Sequence, residues 1–515
     1  MLKVMLINPP VVAVLEPWYD TPNFGRVALA YIASYLRKTP GYDIRVIDAK
    51  LERLNFEQTL ARVVEWAPDV VGFTAFTNEI KPAAYQAALI KKKLRKVTTV
   101  IGGVHVTALP EQTLHEFPSF DIGVIGEGEE TFSELCAALR DGTDLTPIAG
   151  LAFRDDKKKI VVTPERERIL DQDSIPFPAW DLFPKAQEYW VQASRGCPFN
   201  CLFCMNPNGR VARKRSVANV VDELKLVVET YAPGQIRFGD EIFSVDVPRT
   251  RELMDAMIAA DIGKRVGWCI QTHVRYVDYD LFVQMKKAGV VRVEMAVETG
   301  EEEKLKTMGK GTNINMIKDA FSAARRAGVP AGAFLLLGQP NETVDSMKKT
   351  VDLAVKINPY LPMFGVMTPY PGTEVARLAA KGEAGYRLLT TDWDEYNKQI
   401  GGALEFAALS RNQIEFIQIE GYAKVFLFNF RFIDFAKFLW AYRGGMWSVF
   451  KKMLFQQKSI VGLMKRPDGY NEAINSPAPV TLKEIVTARE AWVATQQKEL
   501  ARTRKVNPRL LTQPS

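Results

Sequence analysis

Over residues 1 to about 140, short apolar runs alternate with amphipathic stretches, the pattern of strands and helices wound into a parallel sheet. The strands expected are Lys3–Ile7, Ile44–Asp48, Val70–Thr74, Thr98–Ile101 and Ile122–Ile125, with helical periodicity at about 25–38, 55–66, 81–95 and 129–140. Thr39-Pro40-Gly41 supplies a helix stop. Residues 143–188 carry two β-like runs around the polar turn Asp155-Asp156-Lys157-Lys158, then the Pro-rich Ile175-Pro176-Phe177-Pro178-Ala179-Trp180, and read as an interdomain linker. From 189 to 370 the alternation resumes, with strands near 189–194, 235–239, 266–271, 290–297, 331–337 and 362–368. Val217, Val220, Val221, Leu224, Val227, Val228 and Tyr231 keep helical spacing behind a capping Ser216. Beyond 371 the strands stop and a helical, aromatic region runs to 515.

These patterns predict an α/β protein: a doubly wound, flavodoxin-like sheet over 1–142, a partial (β/α)6 barrel over 189–370 and a helical carboxy-terminal region. Ligands of such sheets and barrels bind at the carboxyl ends of the strands. The chain of 515 residues is long enough for two or three cores. Its hydrophobic share of 47% excludes wholesale disorder, and a net charge of +7 spread over separated clusters gives no support for nucleic-acid binding. Met1 to Ile7 runs straight into Asn8-Pro9-Pro10, a buried strand and not a signal peptide. Five cysteines, three of them within eight residues, suit a metal site in a reducing compartment, so a cytoplasmic location is expected.

Cys197, Cys201 and Cys204 stand at C-x3-C-x2-C spacing just after a strand. Three thiolates suit an iron–sulfur cluster with one iron left open for a small chelating molecule. A structural zinc would need a fourth ligand, and only Cys136, Cys269 and the three histidines, all distant in sequence, could supply it.

With aromatic Phe203 before the last cysteine, the spacing resembles the radical S-adenosylmethionine (SAM) superfamily signature over about 189–370. The resemblance implies a [4Fe-4S] cluster that chelates SAM and reductively splits its sulfonium to a 5′-deoxyadenosyl radical, fed by a donor such as flavodoxin or ferredoxin. It also implies SAM contacts at Phe203 and at the strand ends: Gly239, Asp240 and Glu241, then Gln271, Glu298 and Gly338. Glu298, in Val297-Glu298-Thr299-Gly300, leads these candidates, against the alternative that each carboxylate makes a salt bridge or a helix cap. Asp240 and Glu241 are neighbours in a strand, so at most one faces inward. Glu294 is a further strand-end carboxylate, while Cys269 and His273 read as packed interior.

Gly102-Gly103-Val104-His105 and Gly126-Glu127-Gly128, with Asn8-Pro9-Pro10, resemble the cobalamin-binding domain fused to many such enzymes. That implies cobalamin contacts from Asn8, Thr74, Asn78, Gly102, Gly103, His105, Glu127 and Gly128. Thr131 interrupts a G-x-G-x-x-G, so a nicotinamide site is not expected. No histidine has Asp two places before it, which implies cobalt without a protein histidine beneath it, near Phe76-Thr77-Asn78, or a domain that has lost its cofactor.

Three functions follow as expectations. The first is a cobalamin-dependent radical SAM methyltransferase acting on an unactivated carbon. The second is a cyclase or oxidative enzyme resembling the anaerobic magnesium-protoporphyrin ester cyclase. The third is a non-enzymatic corrinoid or iron–sulfur carrier. Aromatic crowding from Val425 to Tyr442, followed by Trp447, Phe450 and Phe455, predicts an apolar cover and hence a hydrophobic small-molecule substrate. Arg431, Asp434 and Lys437 break the run, so it does not span a membrane. Core helices, or an amphipathic surface with Lys451, Lys452 and Lys458 that meets a lipid interface, both fit it.

Overall fold

The computed structural model describes residues 1–13, 20–398, 402–443, 466–474 and 479–506, so Trp447, Phe450, Phe455, Lys451, Lys452 and Lys458 lie outside the described residues. The chain divides into two compact units. The first comprises 1–186, 391–396 and 461–495, and the second 187–390, 397–460 and 496–515.

In the first unit, β1 (Leu2–Asn8), β2 (Tyr42–Asp48), β3 (Val70–Thr74), β4 (Thr98–Gly102) and β5 (Ile122–Val124) form a parallel sheet in the order β2-β1-β3-β4-β5, the expected flavodoxin-like order. Helices α1 (Val27–Leu36), α2 (Phe56–Trp66), α3 (Ile80–Lys93) and α4 (Gly128–Asp141) connect the strands. The strands are apolar on both faces because both are covered: Val4, Leu6, Ile7, Val71 and Ile101 are all buried. Helix α2 begins on a capping box in which Asn55 and Gln58 satisfy each other's backbone N–H groups.

Part of the stretch expected as a linker, residues 151–162, belongs to this sheet. Its two β-like runs are β6 (Leu151–Arg154) and β7 (Ile160–Val162), an antiparallel hairpin that extends the sheet beyond β5. Leu151, Ala152 and Ile160 are buried there, so the hairpin covers an edge that β5, with three residues, would leave open.

The second unit holds six parallel strands in the order β13-β12-β11-β10-β9-β8. They are β8 (Glu188–Val191), β9 (Gln235–Phe238), β10 (Gly267–Thr272), β11 (Val290–Glu298), β12 (Ala331–Leu337) and β13 (Pro362–Val366). Helices α5 (Val217–Tyr231), α6 (Val247–Ala259), α7 (Tyr279–Lys287), α8 (Ile314–Arg326) and α9 (Val344–Ile357) alternate with them, giving the expected partial barrel. Ser216 caps α5 by accepting the Asn219 N–H.

The carboxy-terminal region departs from expectation in two ways. It contains a hairpin, β14 (Tyr386–Leu388) with β15 (Leu404–Phe406), and it is divided between both units instead of forming one helical block. Helix α10 (Arg411–Leu427) packs along the free edge of β13: Tyr422 Oη accepts the Phe364 N–H at 3.1 Å, and Gln418 donates to the Phe364 carbonyl at 2.6 Å. Among the described residues, no helix is long and apolar enough to cross a membrane.

Candidate functional site

The cysteine loop leaves the end of β8 and is closed at its neck by a two-residue antiparallel ladder, Ser194–Arg195 against Arg213–Lys214. Within it, Cys197 N–H donates to the Gly209 carbonyl at 3.0 Å and Asn206 Nδ2 donates to the Cys197 carbonyl at 2.6 Å. The Asn206 N–H points at Cys204 Sγ, 3.3 Å away. Gly196 has φ +100°, and a Cβ there would stand 2.2 Å from the Val211 carbonyl oxygen, so the chain enters the loop through a position only glycine fits.

Asp240 and Glu241 follow β9 instead of lying in it, so the strand alternation that would turn only one of them inward does not apply, and both grip this loop. Asp240 is fully buried and accepts from Ala193 N–H at 3.0 Å and Ser194 Oγ at 2.6 Å. Burial still pushes its carboxyl up to about 6. Glu241 accepts from Gly196 N–H at 3.0 Å and from Asn208 Nδ2. Gln271 donates to the Asp240 carbonyl at 3.1 Å. Glu294 is held by Arg237 and Arg292 in a buried salt-bridge network below the strand ends.

Glu298 occupies the left-handed region, φ +66°, at a register shift where β11 ends. It is buried and ion-paired with buried Lys310. The loop carrying Lys310 also braces the cysteines, since Leu202 N–H donates to the Met308 carbonyl at 3.3 Å. His273 Nε2 lies 3.1 Å from the Lys310 carbonyl, and its ring stacks on Phe199 with centroids 4.5 Å apart. Burial and the Lys310 charge lower this imidazole to about 3, so it is neutral. Gly338 lies under the Phe406 ring, with a would-be Cβ 2.6 Å from it. Sequence reading missed Lys310, Asn206 and Asn208; the only signal was the Gly309-Lys310-Gly311 turn.

In the first unit, Asn8 is turned inward. Its amide donates to Asp48 at 2.7 Å and its oxygen accepts from Arg26 at 3.1 Å. Arg26 and Lys50 converge on buried Glu79; burial would raise that carboxyl, yet the two cations hold it down at about 2. This buried charge network was not foreseen. His105 is also turned away from solvent: it is 1% exposed, its ring meets Trp393 edge-on with centroids 4.8 Å apart, and neither ring nitrogen has a hydrogen-bond partner among the described residues. Desolvation lowers it to about 3. Neither Asn8 nor His105 can touch a ligand outside the strand ends unless its cover moves. Thr74, Asn78, Gly102, Gly103, Glu127 and Gly128 do reach the surface at those ends, beside exposed Phe76 and Gly126. Gly103, φ +106°, lies so close to the Ala75 backbone that a Cβ would be 2.5 Å from its carbonyl oxygen.

Comparison with known proteins follows the same division. Residues 12–136 match the B12 binding domain family and residues 191–354 the radical SAM superfamily. An uncharacterized methyltransferase of Pyrococcus horikoshii is 32% identical over 83% of this chain and 93% of its own length. The anaerobic magnesium-protoporphyrin IX monomethyl ester cyclase of Rubrivivax gelatinosus is 30% identical over 73% of this chain and 69% of its own length. The chain belongs to the cobalamin-binding radical SAM enzymes. Its fold is that of the radical SAM methyltransferase TsrM from Kitasatospora setae, solved with cobalamin and a [4Fe-4S] cluster, at TM-score 0.65 and 17% identity over 83% of this chain and 89% of that one.

The residues present fit the cofactors of this family. The thiols of Cys197 and Cys201 are raised to about 12, mainly by desolvation and partly by neighbouring thiols, and a bound metal would displace their protons. No three His, Cys, Asp or Glu side chains among the described residues gather tightly enough for a single ion, whereas a cubane holds its three cysteines farther apart. At the other site, the open glycine-rich strand ends and the amino terminus of α4 offer backbone N–H groups to a bulky polar ligand.

Proposed function

We propose that this enzyme methylates an unactivated carbon of a hydrophobic small molecule, using SAM both as methyl source and as radical source. The observation that carries the reading is the union in one chain of an intact three-cysteine loop and a cobalamin-type domain, over most of the length shared with the Pyrococcus relative. When bound, the cluster supplies the electron that splits the SAM sulfonium and cobalamin supplies a methyl-carrying metal.

Cys197, Cys201 and Cys204 are read as the three cluster ligands. Asp240 and Glu241 keep the loop in register through its backbone and Asn208, and so act as positioning residues. Phe203, Gly239, Gln271 and Glu298 are read as lining the SAM site, with Lys310 compensating the buried Glu298 charge, while Gly338, covered by the Phe406 ring, is not. Thr74, Asn78, Gly102, Gly103, Glu127 and Gly128 are read as the cobalamin-facing surface. A flavodoxin- or ferredoxin-type protein would donate the electron. Three of the five cysteines gathered in one ligand motif, which suits a reducing compartment, support a cytoplasmic location.

The test is anaerobic reconstitution with iron, sulfide, cobalamin and SAM, followed by mass analysis of products from a cell extract. Methylated product with both S-adenosylhomocysteine and 5′-deoxyadenosine supports the proposal. The Rubrivivax relative favours ring closure as the second reading, and 5′-deoxyadenosine with a cyclised or oxygenated product and no S-adenosylhomocysteine would establish it instead.

A further inference from the structure

The helix that follows α10 is α11 (Phe432–Ala441), and none of its residues is buried. Its inner side touches α10, with Phe438 stacked on Tyr422 at 4.7 Å and Phe435 on Phe426 at 5.7 Å. The exposed side carries Ile433 (74% exposed), Trp440 (71%) and Phe432 (59%), with Lys437 among them, and the turn before the helix adds Phe430 (81%) and Phe428 (64%). On α10, Phe416 and Ile419 are exposed as well. Large side chains exposed in a row, unlike the single ones scattered over any surface, mark a binding face.

The charges beside this face are mostly basic. Lys424 is paired with Glu420 and Arg431 with Asp434, which leaves Lys437 and Arg443 in excess, and from Phe435 to Pro467 the sequence contains no acidic residue. The Arg443 guanidinium lies 4.5 Å from the centroid of the Trp440 ring. Short aromatic-rich helices flanked by Lys and Arg are the composition of helices that lie in a lipid interface, and their cations are drawn to anionic headgroups. At ten residues α11 is far too short to span a bilayer.

We propose that the outer face of α10 and α11 docks on the surface of an anionic lipid bilayer, with Phe430, Ile433 and Trp440 inserted among the headgroups and Lys437 and Arg443 on the phosphates. The face stands independently of the reaction assigned above, because it is judged by binding alone.

The test is flotation of the purified full-length protein with vesicles of phosphatidylcholine alone or mixed with phosphatidylglycerol. The protein is expected to float with the mixed vesicles, to stay at the bottom with phosphatidylcholine, and to be released by salt. A Phe430→Ser/Ile433→Ser/Trp440→Ser variant should lose flotation while keeping its thermal midpoint and iron content. A Lys437→Glu/Arg443→Glu variant, which leaves the apolar face intact, should bind mixed vesicles at least about tenfold more weakly. Wild-type protein that stays at the bottom with mixed vesicles, or variants that float equally well, would overturn the proposal. So would a wild-type dimer that the triple variant splits, since the occupant would then be a second copy. A large fall in thermal midpoint of the triple variant would also overturn it, since the chain itself would then be covering the face.

Discussion

Gly196→Ala puts one methyl group where the cysteine loop begins, and its cost can be worked from two separate terms. The backbone at φ +100° disfavours any Cβ by about 1–2 kcal/mol. The same Cβ would lie 2.2 Å from the Val211 oxygen and 3.1 Å from the Asn208 oxygen, and pushing packed backbone aside costs about 1–3 kcal/mol more. The sum is about 2–5 kcal/mol, or about 4–20 °C in the unfolding midpoint of a unit this size. Gly328→Ala isolates the first term: φ is +69° and none of the described residues lies within 4 Å of the new Cβ, so about 1–2 kcal/mol and about 2–8 °C are expected. Calorimetry of both anaerobically prepared apo variants gives the midpoints, and iron per chain after reconstitution gives the function of the loop. Gly196→Ala should bind far less iron and Gly328→Ala the full complement. Equal midpoint shifts, or a fully loaded Gly196→Ala protein, would refute the view that the neck geometry sets the thiols for the cluster.

Three further outcomes are expected. Alanine at Cys197, Cys201 or Cys204 should abolish 5′-deoxyadenosine formation from SAM, measured by chromatography after reduction; retained cleavage in any one of them would sink the ligand assignment. Lys310→Met should cost about 3–5 kcal/mol because it strands a buried carboxylate, and Lys310→Met/Glu298→Gln should cost less than that single change, so additive losses in denaturant titration would mean the pair is not coupled. Burial raises Glu116 to about 7 in the folded state, so its contribution to stability is full at low pH and is lost as pH rises from about 4.5 through 7, whereas His105, lowered to about 3, contributes stability that grows from about 3 to 6.5. Glu116→Gln removes its own falling limb while those of Asp48 and Asp394, also raised by burial, persist. The wild-type minus variant difference in first-unit stability, measured by hydrogen exchange, should therefore fall between about pH 4.5 and 7, and a difference that stays flat there would contradict the Glu116 assignment.

Much of the fold was legible because buried parallel strands are short, wholly apolar and regularly separated. Val70–Thr74 and Ala331–Leu337 coincide with expectation to the residue, and the helix behind Ser216 was marked by its apolar spacing together with that cap. The runs at 151–154 and 160–162 were visible as strands, but periodicity does not name a partner, so their place on the first sheet was not. The same limit hid the β14–β15 hairpin, whose strands have three residues each. The cysteine loop was legible because its ligands are packed into one motif. Lys310 was not, since its ion pair with Glu298 joins two loops with no shared period. His105 was correctly placed at a strand end, but its direction is set by Trp393, which arrives from far later in the chain.

That late arrival has a consequence for synthesis. The first unit borrows 391–396 and 461–495, and with them Trp393, whose indole donates to buried Glu116 at 2.8 Å. While a ribosome is still making the barrel, the amino-terminal sheet therefore exists with Glu116 and His105 uncovered, and it cannot reach its final state until nearly the whole chain has emerged. Closing such long loops is slow, and the intermediate that waits exposes surface that other chains can bind. The order of translation thus leaves this nominally first domain unfinished until residues 461–495 have been made.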